Sequence, residues 1–251
     1  MNHSEFSGKV IVVAGAGGIG AATAKVLNEH GAKIILIDIS RESIDSCLAT
    51  LKGESTGYTC DFSDVESIEA VIRQVIRENG EVSGFAHCVG TGAVRPLKMS
   101  KYSYMKKVMD INFFSFVEIV RCLSAKGVFS ADGMNIVGVS AIGAFLGNST
   151  KTAYCASKAA MNAASRCMAK ELAPKGIRVN TVAPGVTDTP MARATEEYGK
   201  DSDEHKAILE RQYLGICQPE DIANAIMFLM SSQSRMITGS CITVDGGKTS
   251  S

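Results

Sequence analysis

Along the 251 residues, short β-branched apolar runs alternate with longer stretches whose apolar positions recur every three or four residues. The runs are KVIVVA (9 to 14), KIILID (33 to 38), SGFAHC (83 to 88), MNIVGVS (134 to 140), IRVNTVA (177 to 183) and SCITVD (240 to 245), with TGYTC (56 to 60) as a weaker seventh. Short apolar runs bounded by polar or glycine positions read as strands buried on both faces. Between them the helical period is plain, as in 64 to 79, where Val65, Ile68, Val71, Ile72, Val75 and Ile76 share a face. Strands separated in this way by helices require right-handed crossovers. The expected fold is α/β: a doubly wound, Rossmann-type parallel sheet of seven strands with helices on both faces, in a single domain over 1–251. Residues 187 to 215 break the alternation with seven acidic and four basic residues and little apolar content. That stretch is too long for an ordinary connector, so a substrate lid or a surface insertion is expected there.

A hydrophobic content of 45% supports one substantial core. Acidic and basic residues balance at 26 each, which argues against nucleic acid or an anionic membrane surface as partner. No basic segment followed by an apolar run opens the sequence, and no stretch approaches the length of a membrane span, so a soluble, cytoplasmic protein is expected. Eight cysteines are scattered singly without a C-x-x-C pair, and they read as reduced core thiols rather than as a metal site.

Candidate chemistry begins at VVAGAGGIGAA (12 to 22). Gly15, Gly17 and Gly20 fit G-x-G-x-x-G, while Gly15, Gly18 and Gly20 fit G-x-x-G-x-G. Either register follows a strand and opens a helix near Ile19, where free N–H groups and a partial positive charge suit a pyrophosphate. Asp38 ends the second strand, where a carboxylate accepts ribose hydroxyls. It would repel a 2′-phosphate by roughly 1–3 kcal/mol, favouring NAD over NADP. The alternative for Asp38 is a turn or capping residue before Arg41.

YCASKAAMNAASRCMAKELA (154 to 173) reads as a helix that puts Tyr154 and Lys158 at i and i+4 on one face. A neighbouring ammonium is expected to pull the phenol pKa down and make Tyr154 a proton donor or acceptor. Such a pair is also common as ordinary surface decoration. Ser140 closes the strand NIVGVS at the carboxyl edge of the sheet, where open α/β sheets bind ligands, and it would stabilise charge on a substrate oxygen. Asn112 interrupts the apolar VMDINFFSFV, and a buried amide there must find partners, whether catalytic or merely capping.

Taken in order, these residues resemble the classical short-chain dehydrogenases/reductases. The resemblance runs from GAGGIG through Asp38, CDFSD with Asp61, Asn112, Ser140, Tyr154, Lys158 and VAPGVTDTP (182 to 190) to TGSCITVDGG (238 to 247). It implies a catalytic tetrad of Asn112, Ser140, Tyr154 and Lys158, with Lys158 also holding the nicotinamide ribose and Asn112 anchoring a water of the proton relay. It assigns Gly15, Gly17, Gly18, Ile19, Gly20, Asp38, Asp61, Phe62, Gly90, Pro184, Gly185, Val186 and Thr189 to the cofactor, together with Tyr154 and Lys158. Asp61 and Phe62 would lie near the adenine, and Pro184, Gly185, Val186 and Thr189 on the nicotinamide side. It further implies NAD(H)-dependent oxidation of a small secondary alcohol or reduction of a ketone, and a homo-oligomer, a dimer or homotetramer, paired through the helices carrying Asn112 and Tyr154.

Three departures stand out. The glycine turn is one residue shorter than the family's G-x-x-x-G-x-G. The family's N-N-A-G appears as His87-Cys88-Val89-Gly90, with His87 expected to be structural rather than a second acid/base. Ser140 precedes Tyr154 by fourteen residues, one more than usual, with Ala141 at the usual spacing. Two rival readings are a hydrolase using Ser140 and a nucleotide-binding regulator without chemistry. The first fails because G-x-S-x-G needs glycine two after the serine, and Gly143 is three after it. The second leaves the Tyr–Lys pair without a role. A metal shared by His87 and Cys88 is not expected, because adjacent strand residues face opposite ways. Arg95 and Arg193 are candidates for binding a substrate carboxylate, and the pocket is expected to lie between Ile142 and Ser149, at 91 to 96 and at 187 to 215.

Overall fold

The computed structural model describes residues 5–92, 94–194 and 203–250. Seven parallel strands form one sheet in the order β3-β2-β1-β4-β5-β6-β7. They are β1 (Val10–Ala14), β2 (Lys33–Asp38), β3 (Ser55–Thr59), β4 (Gly84–His87), β5 (Met134–Val139), β6 (Ile177–Pro184) and β7 (Cys241–Val244). Each of the seven apolar runs is a strand, with ends shifted by a residue or so. The central ones are buried on both faces, as an apolar run without polar alternation requires. The weakest run, TGYTC, is the edge strand beside β2, shifted by one residue to STGYT. Gly57 is small there because α2 lies close over it, and a Cβ would meet Ile44 Cγ2 at 2.2 Å.

The helices are α1 (Gly18–Glu29), α2 (Arg41–Leu48), α3 (Ile68–Asn79), α4 (Tyr102–Met109), α5 (Ser115–Leu123), α6 (Thr152–Leu172), α7 (Pro190–Arg193), α8 (Asp203–Arg211) and α9 (Pro219–Met230). One core packs Ile68, Ile72 and Val75 of α3, Phe116 and Ile119 of α5 and Met161 of α6 against the sheet. The opposite core takes Ala24 and Leu27 of α1, Ile44 of α2 and Ile222 and Ile226 of α9. Local chemistry sets several starts. Ser40 caps α2 by accepting the Ser43 N–H, while Pro219 opens α9 behind Gln218, whose N–H donates to Asp221 at 2.7 Å. No helix among the described residues is long and apolar enough to cross a membrane.

The chain winds from β1 outward to β3, then returns to place β4 on the other side of β1. The carboxyl ends of β1 and β4 therefore flank a switch point, where open α/β sheets form a ligand crevice. Within 187 to 215, expected to be irregular, the structure shows α7 and α8; residues 195–202 of the expected lid lie outside the described residues.

Candidate functional site

The glycine turn occupies the switch point. Gly15 has φ +97°, and a Cβ on it would lie 3.1 Å from the carbonyl carbon of Cys88, just past β4. A Cβ on Gly20 would fall 1.8 Å from Gly15 O, which no side chain survives. Gly18 has φ +45° and faces the Thr189 side chain, whereas a Cβ on Gly17, at φ −110°, would meet nothing within 4 Å among the described residues. The tight positions are thus Gly15, Gly18 and Gly20, which resolves the register as G-x-x-G-x-G. The helix opens at Gly18, one residue before the expected Ile19, so the first-turn N–H groups around Gly18 and Ile19 lie at the switch point without intrahelical partners.

Asp38 lies against this turn. Its carboxylate accepts the Ala16 N–H at 2.7 Å and the Ser40 N–H at 2.9 Å. The nearby cation is committed elsewhere: Arg41 forks onto Asp45 at 2.6 and 3.1 Å. Asp61 follows β3, exposed, and accepts from the N–H and hydroxyl of Ser63 at 2.8 and 2.7 Å, which hold its carboxyl below the usual range. Phe62 is buried in the core with its ring toward His87, so only its backbone is left for an adenine.

Tyr154 and Lys158 stand one turn apart on α6. The Tyr154 ring is framed by two glycines the sequence did not single out for this purpose. A Cβ on Gly92 would meet ring carbon Cδ2 at 2.7 Å, and one on Gly143 would lie 3.9 Å from Cε1. Lys158 is buried; its Nζ donates to Val139 O at 2.7 Å and lies 5.9 Å from the Tyr154 ring centroid. Gly90 leaves room for this ammonium and for Asn112 Oδ1, which a Cβ there would meet at 3.3 and 3.8 Å. Burial governs both titrating groups, raising the Tyr154 phenol to about 12 and lowering the Lys158 ammonium to about 8. Against the sequence expectation that the ammonium lowers the phenol, the phenol is raised: the ammonium is turned to a carbonyl, and burial governs the ring.

Asn112 lies in a π-helical turn, Asp110–Phe114, that interrupts the α4–α5 helix. Such turns recur at functional sites because they displace one residue from the helical ladder. The Asn112 amide accepts from Thr91 N at 2.7 Å and donates to Thr91 O and Ser157 Oγ, both at 2.9 Å. It thereby ties the loop after β4 to α6. Ser140 follows β5 and is buried, and its hydroxyl donates to Lys158 O at 3.2 Å. To donate to a substrate oxygen, the hydroxyl must leave that carbonyl. The longer interval between Ser140 and Tyr154 passes through Thr150 at φ 63°, a left-handed conformation unusual for a β-branched residue.

Beyond β6, Gly185 allows close packing, since a Cβ would meet Gln212 Oε1 at 2.6 Å and Asp245 Cα at 2.8 Å. The Val186 N–H donates to Gln212 Oε1 at 3.0 Å, and Val186 O accepts from Gln212 Nε2 at 2.9 Å and from Cys217 N at 3.0 Å. Both main-chain groups of Val186 are therefore engaged within the protein, and Thr189, over Gly18, is better placed toward the crevice. Gln212, wholly buried, was missed at the sequence level because a polar residue in a charged stretch carries no signal of burial. Arg193 pairs with Asp188 at 2.6 Å, and the Arg95 guanidinium covers the Tyr104 ring at 4.1 Å. Glu69, Glu118 and Cys122 also converge, on α3 and α5, but Arg73 and Arg121 lie among them as ion-pair partners.

A glycine turn at the switch point, a carboxylate at the end of β2 and a Tyr–Lys pair on α6 beside the loop after β4 form one candidate site, at the sheet edge where open α/β folds bind ligands. A family model described as enoyl-(acyl carrier protein) reductase matches residues 13–249. The chain is 32% identical to the 3-oxoacyl-(acyl-carrier-protein) reductase FabG of Thermotoga maritima over 247 residues, covering 96% of this chain and 98% of that protein. It is 31% identical to carbonyl reductase family member 4 of Danio rerio, over 94% and 96% of the two chains. A crystal structure from Sinorhizobium meliloti described as that of a short-chain alcohol dehydrogenase superposes with a TM-score of 0.92 at 27% identity, over 98% of each chain. The chain belongs to the short-chain dehydrogenase/reductase family.

Proposed function

We propose that this protein is an NAD(H)-dependent oxidoreductase that interconverts a secondary alcohol and a ketone, with Tyr154 exchanging the proton. The observation that carries the reading is the convergence of Lys158 and Asn112 at Gly90 and of Tyr154 at Gly92, on the loop that follows β4. Gly15, Gly18, Gly20 and Asp38 fit the pyrophosphate and adenosine ribose of a dinucleotide, and Lys158 and Thr189 fit its nicotinamide half. When bound, the dinucleotide supplies or accepts the hydride. Tyr154 Oη gives a proton to the ketone oxygen, or takes one from the alcohol. At neutral pH the pair is phenol and ammonium, the state needed for donation to a ketone. Asn112 holds the Thr91 segment against α6, and Ser140 turns from the Lys158 carbonyl to the substrate oxygen as charge develops.

The NAD preference rests on Asp38, clamped by two N–H groups, and on Arg41, engaged by Asp45 rather than turned to a phosphate. The names of the relatives make 3-oxoacyl thioesters one ketone class to test beside simple ketones and polyols. The test is a fluorescence titration with NADH and with NADPH, made convenient by the absence of tryptophan, followed by an alcohol, ketone and thioester screen. Micromolar NADH binding with NADPH about tenfold or more weaker is expected. Binding of neither would reduce the glycine turn to packing and defeat the reading.

A further inference from the structure

Behind Asn112 lies a fully buried polar chain that the proton-exchange chemistry does not use. His87 closes β4 with its ring packed edge-on to Phe62, Phe85 and Phe116, at centroid distances of 6.4, 6.0 and 5.4 Å. Its Nε2 lies 2.9 Å from Ser115 Oγ, and Ser115 Oγ lies 2.6 Å from Ile111 O. A carbonyl only accepts, so the single Ser115 proton goes to Ile111 O, and Ser115 must accept from His87. The tautomer is thereby fixed with the proton on Nε2, and Nδ1 is left buried without a partner among the described residues.

The Ser115 backbone explains what this chain supports. In a regular α-helix the Ser115 N–H would bond Ile111 O four residues back, but here it reaches Asp110 O, five back. The Ser115 hydroxyl serves the carbonyl that its own N–H has skipped. That substitution lets the helix hold a π turn at Asn112 without leaving a buried acceptor unpaired.

We propose that His87 is a positioning residue for Asn112: its Nε2–H fixes the Ser115 hydroxyl on Ile111 O and so maintains the π turn that presents the Asn112 amide to Thr91 and Ser157. Burial and the charge on Lys158 push the ring well below the ordinary histidine range, so it is neutral and acts only as a donor. It does not touch the reacting atoms. Its effect reaches Tyr154 through Asn112 and Ser157, whose hydroxyl donates to Tyr154 O at 2.7 Å.

The turnover arm of the test rests on the proposed oxidoreductase reading; the structural arm does not. His87→Phe keeps an aromatic ring among the three phenylalanines and removes the donor, while His87→Gln restores a donor at similar reach. His87→Phe should lower kcat at least tenfold with dinucleotide Kd changed less than about threefold, and His87→Gln should recover most of the loss. Ser115→Ala should match His87→Phe, and the double variant should be no worse than either single one, as members of one chain require. Nitrogen chemical shifts of the unliganded protein should show the Nε2–H tautomer, and a crystal structure of His87→Phe should show the Asn112–Thr91 pair broken. Full turnover in His87→Phe, a His87→Gln variant no better than it, an Nδ1–H tautomer or an undisturbed Asn112–Thr91 pair would each overturn the proposal. If the wild type neither binds dinucleotide nor turns over, the proposed function fails, and the tautomer and the crystal structure still decide the role of His87. If His87→Phe does not fold, His87→Gln and Ser115→Ala carry the comparison.

Discussion

Lys158 Nζ donates to the carbonyl of Val139 at 2.7 Å rather than to the phenol of Tyr154, although the two side chains stand one helical turn apart. The burial that accompanies this contact lowers the lysine from 10.5 to about 8. Between pH 8 and 10 the unfolded chain holds a proton there that the folded chain has lost, so this group makes stability rise with pH. A Lys158→Met variant lacks that slope. In urea unfolding it should be the more stable protein at pH 7, with the gap to wild type shrinking by roughly 2–3 kcal/mol at pH 10. A constant gap would mean that the ammonium is solvated.

Tyr154→Phe removes the proton donor and leaves the packing against Gly92 and Gly143. Turnover should fall by about 10²–10⁴-fold while the NADH dissociation constant moves less than about threefold. With the phenol raised to about 12, the phenolate needed to accept a proton becomes more abundant as pH rises from 7 to 10. Wild-type kcat/KM for alcohol oxidation should therefore climb over that range, and kcat/KM for ketone reduction should not. A retained rate in Tyr154→Phe would remove the residue from the chemistry.

Asp38→Asn removes the charge and keeps an acceptor for only one of the Ala16 and Ser40 N–H groups, which bond different carboxylate oxygens. The ratio of NADH to NADPH affinity should narrow by about tenfold to a hundredfold, from roughly 1–3 kcal/mol of repulsion removed, chiefly through tighter NADPH binding. An unchanged ratio in parallel titrations would show that Asp38 caps the turn and does not read the ribose.

Alanine at two glycines separates the two registers. Gly18→Ala forces a side chain onto φ +45° with its methyl 3.2 Å from Thr189 Cγ2 and should weaken dinucleotide binding and lower Tm, whereas Gly17→Ala meets nothing within 4 Å among the described residues and should be tolerated in both assays. The reverse order in thermal melts and NADH titrations would restore the G-x-G-x-x-G reading.

The strands were legible because central parallel strands must be apolar on both faces, and even STGYT took its place at the edge. The Tyr154, Lys158 and Asn112 positions were legible from helical spacing and from an amide inside an apolar run. The π turn was not, since one skipped hydrogen bond leaves the pattern of apolar residues nearly unchanged. The direction of the Lys158 ammonium was also hidden, because spacing places two side chains on one face without saying which acceptor wins. Gln212 was invisible for a further reason: its burial depends on backbone groups at Val186 and Gly215 that no side-chain pattern announces.

Those Gln212 contacts give the substrate side of the protein a modular character. The chain leaves the sheet at Val186, and Cys217 and Gln212 bring it back to the same residue, with Asp188 N donating to Cys217 O at 2.8 Å. Departure and return are stapled together, so the length of the excursion beyond Thr189 bears little on the sheet. Loop closure costs little more as the excursion lengthens, so the clasp at Val186 tolerates residues added between Thr189 and Gln212 with small loss of stability.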